Sequence, residues 1–355
     1  MRTLDLFCGG GGSSWGARLA GADIVGAVDA WDIAGLTFGD NFPDAHVVTS
    51  TLHPRSNRKV FGNLRSIDLL LASPECTNHT CARGSREHDE DSKRTARFVL
   101  NFARAFSPRW IVIENVRQMR GWSGYPALLS EIKKSYKVRV QVLDAADFGV
   151  PQRRRRLFIT CDLERDPAPV TGIRNGNQLS VRDFIDPPGT WNTKPLFRKK
   201  RAKPTLERAR RAIADLGEGV PFLIVYYGSD GAGGWQSLDR PLRTMTTLDR
   251  FGLVEWNDGA PTLRMLQVPE LARAMGFGSG YRLERGTRRD RIKLLGNAVC
   301  PPVMEHIVRT LCEEQLREQV AAPNADTCPI KRPLSVHPAP KAKDNLREQR
   351  WQLPA

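Results

Sequence analysis

No apolar run in this sequence approaches the roughly 18 consecutive residues that a membrane-spanning helix needs, so no span is expected. The opening MRTLDLFCGG lacks the pattern of a secretory leader. Cysteine is sparse: Cys8, Cys76, Cys81, Cys161, Cys300, Cys312 and Cys328 are odd in number and scattered. That pattern argues against a disulfide framework and for a reducing compartment, so a cytoplasmic protein is expected. No internal repeat is visible, which sets aside stacked-repeat architectures. Negative charge is in deficit, with 39 Asp and Glu against 54 Lys and Arg for a net charge of +15. Such a balance suits a partner rich in phosphates, although basic proteins without nucleic-acid partners also exist.

What is present begins with alternation. Thr3–Phe7, Ala22–Asp29, Ile67–Ala72, Trp110–Glu114, Val138–Leu143 and Leu157–Cys161 read as strands, with helices at Lys93–Phe106 and Tyr125–Tyr136. Strands alternating with helices predict an α/β fold, a parallel sheet covered on both faces. Ligands of such sheets bind beyond the carboxyl ends of the strands. Residues 163–239 differ in being rich in Pro, Gly, Asn and Arg, with Trp191, Phe197, Tyr226, Tyr227 and Trp235 interspersed. They hold the basic cluster RKKRAK at 198–203 and a helix over Pro204–Leu216 with Leu206, Ala209, Ile213 and Leu216 on one side. They read as a small domain inserted into a larger one formed by 1–162 and 240–317, with helical patterning over 262–315. Residues 318–355, rich in Pro, Lys and Arg with little periodicity, read as a flexible tail.

The first strand runs into DLFCGGGGSSWG at 5–16. Glycines there let the backbone approach a ligand at the mouth of the sheet. About 20 residues later Asp29 ends the second strand, where a carboxylate can accept from both ribose hydroxyls. Trp31 is placed to lie against an adenine. The turn lacks the Lys-Ser/Thr ending of a triphosphate loop. A ligand with one ribose and no phosphate fits as well, and S-adenosylmethionine is such a ligand. The competing reading is a tight turn that only packs a helix on a strand.

The third strand, within DLLLASPECTNHT at 68–80, delivers Cys76 into a polar loop. The continuation over 77–95 has the composition of a mobile lid. A cysteine at the carboxyl end of a strand is placed for nucleophilic attack, and equally it can be a small buried hydrophobe. Cys76, His79, Cys81 and His88 do not follow a common zinc spacing, so no metal is expected.

Taken together, these residues resemble the cytosine-5 DNA methyltransferase family over most of 3–310. DLFCGGGG at 5–12, NFP at 41–43, ENV at 114–116, FGVPQRRRR at 148–156, RPLRTMTT at 240–247, LQVPELARAMGF at 266–277 and LLGNAV at 294–299 match its blocks in the family's order. The nucleophile block departs, with Glu75-Cys76-Thr77 where the family has Pro-Cys-Gln. The distance from Asp68 to Cys76 is the family's, so Glu75 replaces the proline without shifting the cysteine. Pairing Pro74 with the family's proline would put Glu75 in the nucleophile's place, where a carboxylate is a poor choice. No counterpart of the family's Gly-Asp-Ile block stands near 47–52, which leaves adenine recognition open and a modified cofactor in play.

The resemblance implies a Rossmann-like S-adenosylmethionine-dependent methyltransferase sheet with a small target-recognition domain at 163–239. It implies double-stranded DNA as partner, with a cytosine rotated out of the stack beneath the 77–95 lid. Phe7, Gly9, Gly10, Gly12, Asp29, Trp31 and Asn297 would hold S-adenosylmethionine. Cys76 would bond carbon 6, Glu114 would share a proton with N3, and Arg154 and Arg156 would supply positive charge. Arg153 and Arg155 alternate away in an extended segment and fall to surface or phosphate contacts. An RNA cytosine-5 methyltransferase, a catalytically silent DNA-binding relative and an enzyme adding a larger group at the same carbon stay open. A monomer is expected, and any cognate restriction endonuclease would be encoded separately.

Overall fold

The structure, a computed structural model, describes residues 1–74, 95–173, 178–227 and 233–321, with side chains described as far as Leu311. Seven strands form the main sheet: β1 (Arg2–Leu6), β2 (Asp23–Asp29), β3 (His46–Thr49), β4 (Leu69–Ala72), β5 (Trp110–Asn115), β6 (Lys137–Asp144) and β7 (Arg155–Asp162). Their spatial order is β3-β2-β1-β4-β5-β7-β6. All pairings are parallel except those of β7, which is antiparallel to both neighbours. The expected parallel sheet therefore fails at β7. Between Asp144 and Arg155 the chain makes only a 3-10 turn at Ala145–Phe148, too little for the crossover that a parallel neighbour demands.

The described helices are α1 (Gly12–Leu19), α2 (Asp32–Asn41), α3 (Thr95–Phe106), α4 (Tyr125–Lys133), α5 (Lys203–Leu216), α6 (Val268–Ala274), α7 (Arg288–Asn297) and α8 (Pro301–Ala321). Strand alternation sorts the main sheet into two cores. Leu69 and Leu71 of β4 pack with Trp15, Phe38, Met304 and Ile307 from α1, α2 and α8. Leu70 and Ala72 face the other way, toward Val99, Phe102, Leu128 and Ile132 from α3 and α4. No described helix is long and apolar enough to cross a membrane.

A second sheet is wholly antiparallel, in the order β10 (Trp235–Ser237), β9 (Phe222–Val225), β11 (Phe251–Asn257), β12 (Ala260–Met265), β8 (Lys194–Pro195). The expected boundary at 239 falls between two strands of this one sheet. Asp258 and Gly259, both at positive φ, close the β11–β12 hairpin, the pairing that tight two-residue turns favour. On one face lies α5, whose buried stripe is Thr205, Ala209 and Ala212. Of the expected face, Ala209 is buried and Ile213 and Leu216 pack against the same core with Phe222 and Ile224, while Leu206 is not part of it. The other face, with Leu223, Val225 and Leu253, merges through Leu242, Met245 and Leu271 into the core of the main sheet.

A buried ion cluster fastens the second sheet to α6. Arg264 of β12 donates to Glu270 at 2.7 and 2.9 Å and to Glu255 of β11 at 3.3 Å. Glu270 also accepts from the N–H groups of Asp186 and Gln267. Removing one partner of a buried pair leaves the other charge unpaired. Glu270→Ala is therefore expected to cost about 3–5 kcal/mol, read as a lower urea midpoint at unchanged slope.

Candidate active site

β1 and β4 lie side by side, yet the chain leaves β1 for β2 on one flank and β4 for β5 on the other. The crevice at their carboxyl ends is the topological switch point, where such sheets bind ligands. Phe7 (φ 57°), Gly9 (54°) and Gly11 (91°) take left-handed conformations there. The Gly9 N–H donates to Asp29 Oδ2 and the Trp31 N–H to Asp29 Oδ1, both at 2.9 Å. Backbone donors thus orient the carboxylate toward the crevice. Burial raises the Asp29 pKa, against hydrogen bonds from the backbone and the charge of Lys293. Lys293 of α7 holds its Nζ 4.1 Å from the Trp31 ring centroid.

The glycines divide in purpose. A Cβ on Gly9 would meet nothing within 4 Å, whereas one on Gly10 would come 2.6 Å from the Tyr281 hydroxyl and one on Gly12 2.5 Å from the Val299 carbonyl. Gly10 and Gly12 therefore admit close chain packing, with Tyr281 donating to the Gly10 carbonyl at 2.6 Å, and Gly9 borders open space. Asn297 is exposed at the end of α7, one residue before Ala298, which packs against Gly12. An oriented carboxylate, an indole ring and space over a glycine fit a ribonucleoside such as that of S-adenosylmethionine.

Beneath the turn Asp5 is fully buried. It accepts from the Ser14 hydroxyl at 2.7 Å, and its Oδ1 has no partner among the described residues. Burial, aided by the nearby Asp29 charge, lifts its pKa from 3.8 to about 7.

The second half of the site stands at the ends of β5 and β7. Glu114 is buried and its Oε1 lies 3.2 Å from Nε of Arg156. Burial raises the Glu114 pKa, opposed by Arg156 and then Arg154, so this carboxyl holds a proton more readily than an exposed one. Arg153 and Arg155 are exposed and lean on Asp144, so the alternation along the arginine run is present. The two inward arginines are used differently, however. Arg154 donates to the carbonyls of Met245, Gly296 and Ala298.

Asn115 had no role in the sequence reading. Its Nδ2 donates to the Pro74 carbonyl at 3.0 Å, and its Oδ1 accepts from the Val116 N–H at 2.9 Å. It ties the end of β5 to the exit of β4. Cys76, its neighbours Glu75 and Thr77, and the stretch through 94 lie outside the described residues. The ENV block was visible, but only its glutamate carries an obvious chemistry. Tyr281 and Lys293 sit outside any block, and nothing local marks them. A cavity of about 1310 Å³ runs beside β6 from Gln141 to Asp144 and past Val170 to Ile173. It includes neither Glu114 nor the glycine turn and is separate from the site.

A sheet in this order, with its crevice at the β1–β4 switch point, defines a Rossmann-like α/β fold of the S-adenosylmethionine-dependent methyltransferase kind. The chain belongs to the C-5 cytosine-specific DNA methylase family, whose profile matches residues 1–313. It is 32% identical over 204 residues to the type II methyltransferase M.AgeI of Thalassovita gelatinovora, covering 53% of this chain but only 47% of that one. To M.HgiDI of Herpetosiphon aurantiacus it is 30% identical over 267 residues, 69% of this chain and 80% of the relative. The solved Dnmt2 methyltransferase of S. pombe shares the fold with a TM-score of 0.61 at 18% identity, covering 89% of this chain and 99% of that one. S-Adenosylmethionine is the cofactor of this family.

The raised Asp5 pKa makes stability depend on pH. The native state holds the Asp5 proton up to about pH 7, whereas an unfolded chain releases it near 3.8. Native protein therefore binds more protons in that window, and stability falls as pH rises through it, levelling above about 7. Urea unfolding of wild type and Asp5→Asn between pH 4 and pH 8 is expected to show a wild-type advantage that shrinks with pH. A constant difference would contradict the assignment.

Proposed function

We propose that this protein is a DNA (cytosine-5)-methyltransferase that moves a methyl group from S-adenosylmethionine to carbon 5 of a cytosine rotated out of the duplex. The observation that carries this reading is the buried Glu114–Arg156 pair. It stands on the strand whose next residue, Asn115, grips the carbonyl two residues before Cys76.

Carbon 5 of cytosine is too weak a nucleophile to take a methyl group unaided. The Cys76 thiolate bonds carbon 6 and makes carbon 5 enamine-like. The electron pair displaced into the ring is met at N3 by the proton that Glu114 holds. Arg156 fixes the direction of that carboxyl through its Nε, and Arg154 adds charge at longer range. Bound S-adenosylmethionine supplies the activated methyl. Loss of the carbon 5 proton to a base then returns the electron pair that expels the cysteine. Phe7, Gly9, Gly10, Gly12, Asp29, Trp31 and Asn297 are the residues assigned to the cofactor.

Residues 163–239, which supply α5 and strands β8 to β10 of the second sheet, are assigned to reading the target sequence. The exposed Arg198, Lys199, Lys200, Lys203 and Arg210 are suited to gripping phosphates, which makes binding fall with salt. The type II names of the relatives support a modification role beside a separately encoded endonuclease; a monomer acting in the cytoplasm completes the proposal.

The test is to express the chain in cells without cytosine methylation, digest their DNA and weigh the nucleosides. 5-Methylcytosine is expected from the native chain and none from Cys76→Ala. A heavier cytosine adduct would replace methyl by a larger group, and unmodified DNA from folded protein would reject the reading. Glu114→Gln is expected to lower kcat by about 10²–10⁴-fold, with cofactor binding kept, as single-turnover assays would show.

A further inference from the structure

Arg154 and Arg156 sit two residues apart in one basic run and reach inward together, yet Arg156 bonds its neighbour's carbonyl and a carboxylate, whereas Arg154 reaches carbonyls of distant segments. The Arg154 side chain, in a residue only 2% exposed, donates to three main-chain carbonyls: Met245 at 3.0 Å, Gly296 at 2.7 Å and Ala298 at 2.9 Å. Gly296 and Ala298 flank Asn297 at the end of α7. The last carbonyls of a helix have no partners within it and lie at the negative end of its dipole. A buried guanidinium is a fitting cap for them. The root of the arm is fixed as well, since the Arg154 N–H donates to Asp144 at 2.9 Å.

The junction that Arg154 closes is tight on both sides. A Cβ on Gly296 would lie 2.4 Å from the Thr246 carbonyl, and one on Gly12 would lie 2.5 Å from the Val299 carbonyl. Contacts thus pass without a gap from Arg154 through residues 296–299 to the glycine turn. They also pass along α7 to Lys293, over the Trp31 ring.

We propose that Arg154 is a positioning residue for the cofactor site. By capping α7 and drawing Met245 against it, Arg154 sets where Asn297, Lys293 and the glycine turn stand. It acts on cofactor affinity, while Arg156 acts on the proton held at Glu114. This rests on the proposed cofactor site. Lysine at 154 keeps the charge but lacks the planar fork that serves several carbonyls at once, so it leaves part of the cap unmade.

The experiment measures binding of S-adenosylhomocysteine by titration calorimetry, without DNA, for the native chain, Arg154→Lys, Arg154→Met and Arg156→Lys. Single-turnover transfer at saturating S-adenosylmethionine is followed beside it across pH. Arg154→Lys is expected to weaken binding by about tenfold and to raise KM for the cofactor in step. Its rate at saturation should change by a smaller factor, with the wild-type pH profile retained. Arg156→Lys should do the reverse, with binding kept and the rate and its pH profile altered. If Arg154→Met fails to fold by circular dichroism, the conservative Arg154→Lys decides alone. Native-like binding by folded Arg154→Lys overturns the proposal, as does a rate loss matching Arg156→Lys with affinity intact. A native chain that binds no S-adenosylhomocysteine overturns the cofactor reading itself, and the inference falls with it.

Discussion

The adjacency of β1 and β4 is the constraint on which the rest depends. Both strands are buried on two faces and paired in parallel, so their carboxyl ends emerge together and the chain must part there. One exit is the glycine turn, the other Ser73-Pro74. The Ser73 N–H donates to the Leu6 carbonyl at 3.1 Å, and the Ser13 and Ser73 hydroxyls stand 3.4 Å apart. The glycine turn and the Ser73-Pro74 exit therefore leave from one point, and the spacing of these two exits is set by strand pairing. Asn115 extends the same logic by one strand, since its amide ties the end of β5 to Pro74.

The segments after 240 complete this point from outside the strand order. Gln152 is buried, donates to the Ala274 carbonyl at 3.1 Å and accepts from the Met245 N–H at 2.9 Å. Asn41 of α2 joins residue 282 through both its amide atoms. Side-chain amides and guanidinia here satisfy carbonyls at helix ends and in connecting segments. Such groups would otherwise cost the full penalty of desolvation. The return of the chain to the main sheet is thus held by polar contacts of defined direction as well as by its apolar core.

Much of this was legible. The short apolar runs mark six of the main strands, most plainly β4 and β5, because buried parallel strands read as continuous apolar segments bounded by turns. β3 escaped because HVVT at 46–49 offers two apolar residues at a sheet edge. The antiparallel sense of β7 escaped because orientation depends on the connection and not on the strand's own residues. Within the site, motif order pointed to Glu114, Asp29 and the glycines. Arg154 is visible as a charge, but it reaches three carbonyls, and a carbonyl leaves no mark in a sequence. The roles of Tyr281 and Lys293 likewise arise only when distant segments meet.

Asp5 and Glu114 show how one physical effect can serve two ends. Both are buried carboxyls on neighbouring parts of the sheet, and burial raises the pKa of each. Asp5 has a hydroxyl for company, with Asp29 near enough to oppose its ionisation. Its neutral form is therefore the stable one over most of the acidic range, and a neutral acid under the glycine turn is a packing element. Glu114 has two arginines within electrostatic reach, one of them in direct contact. Their charge opposes the effect of burial, an arrangement suited to the proton-sharing role proposed for this residue. The same carboxyl chemistry is thus set in two electrostatic surroundings, one near a like charge and one near opposite charges.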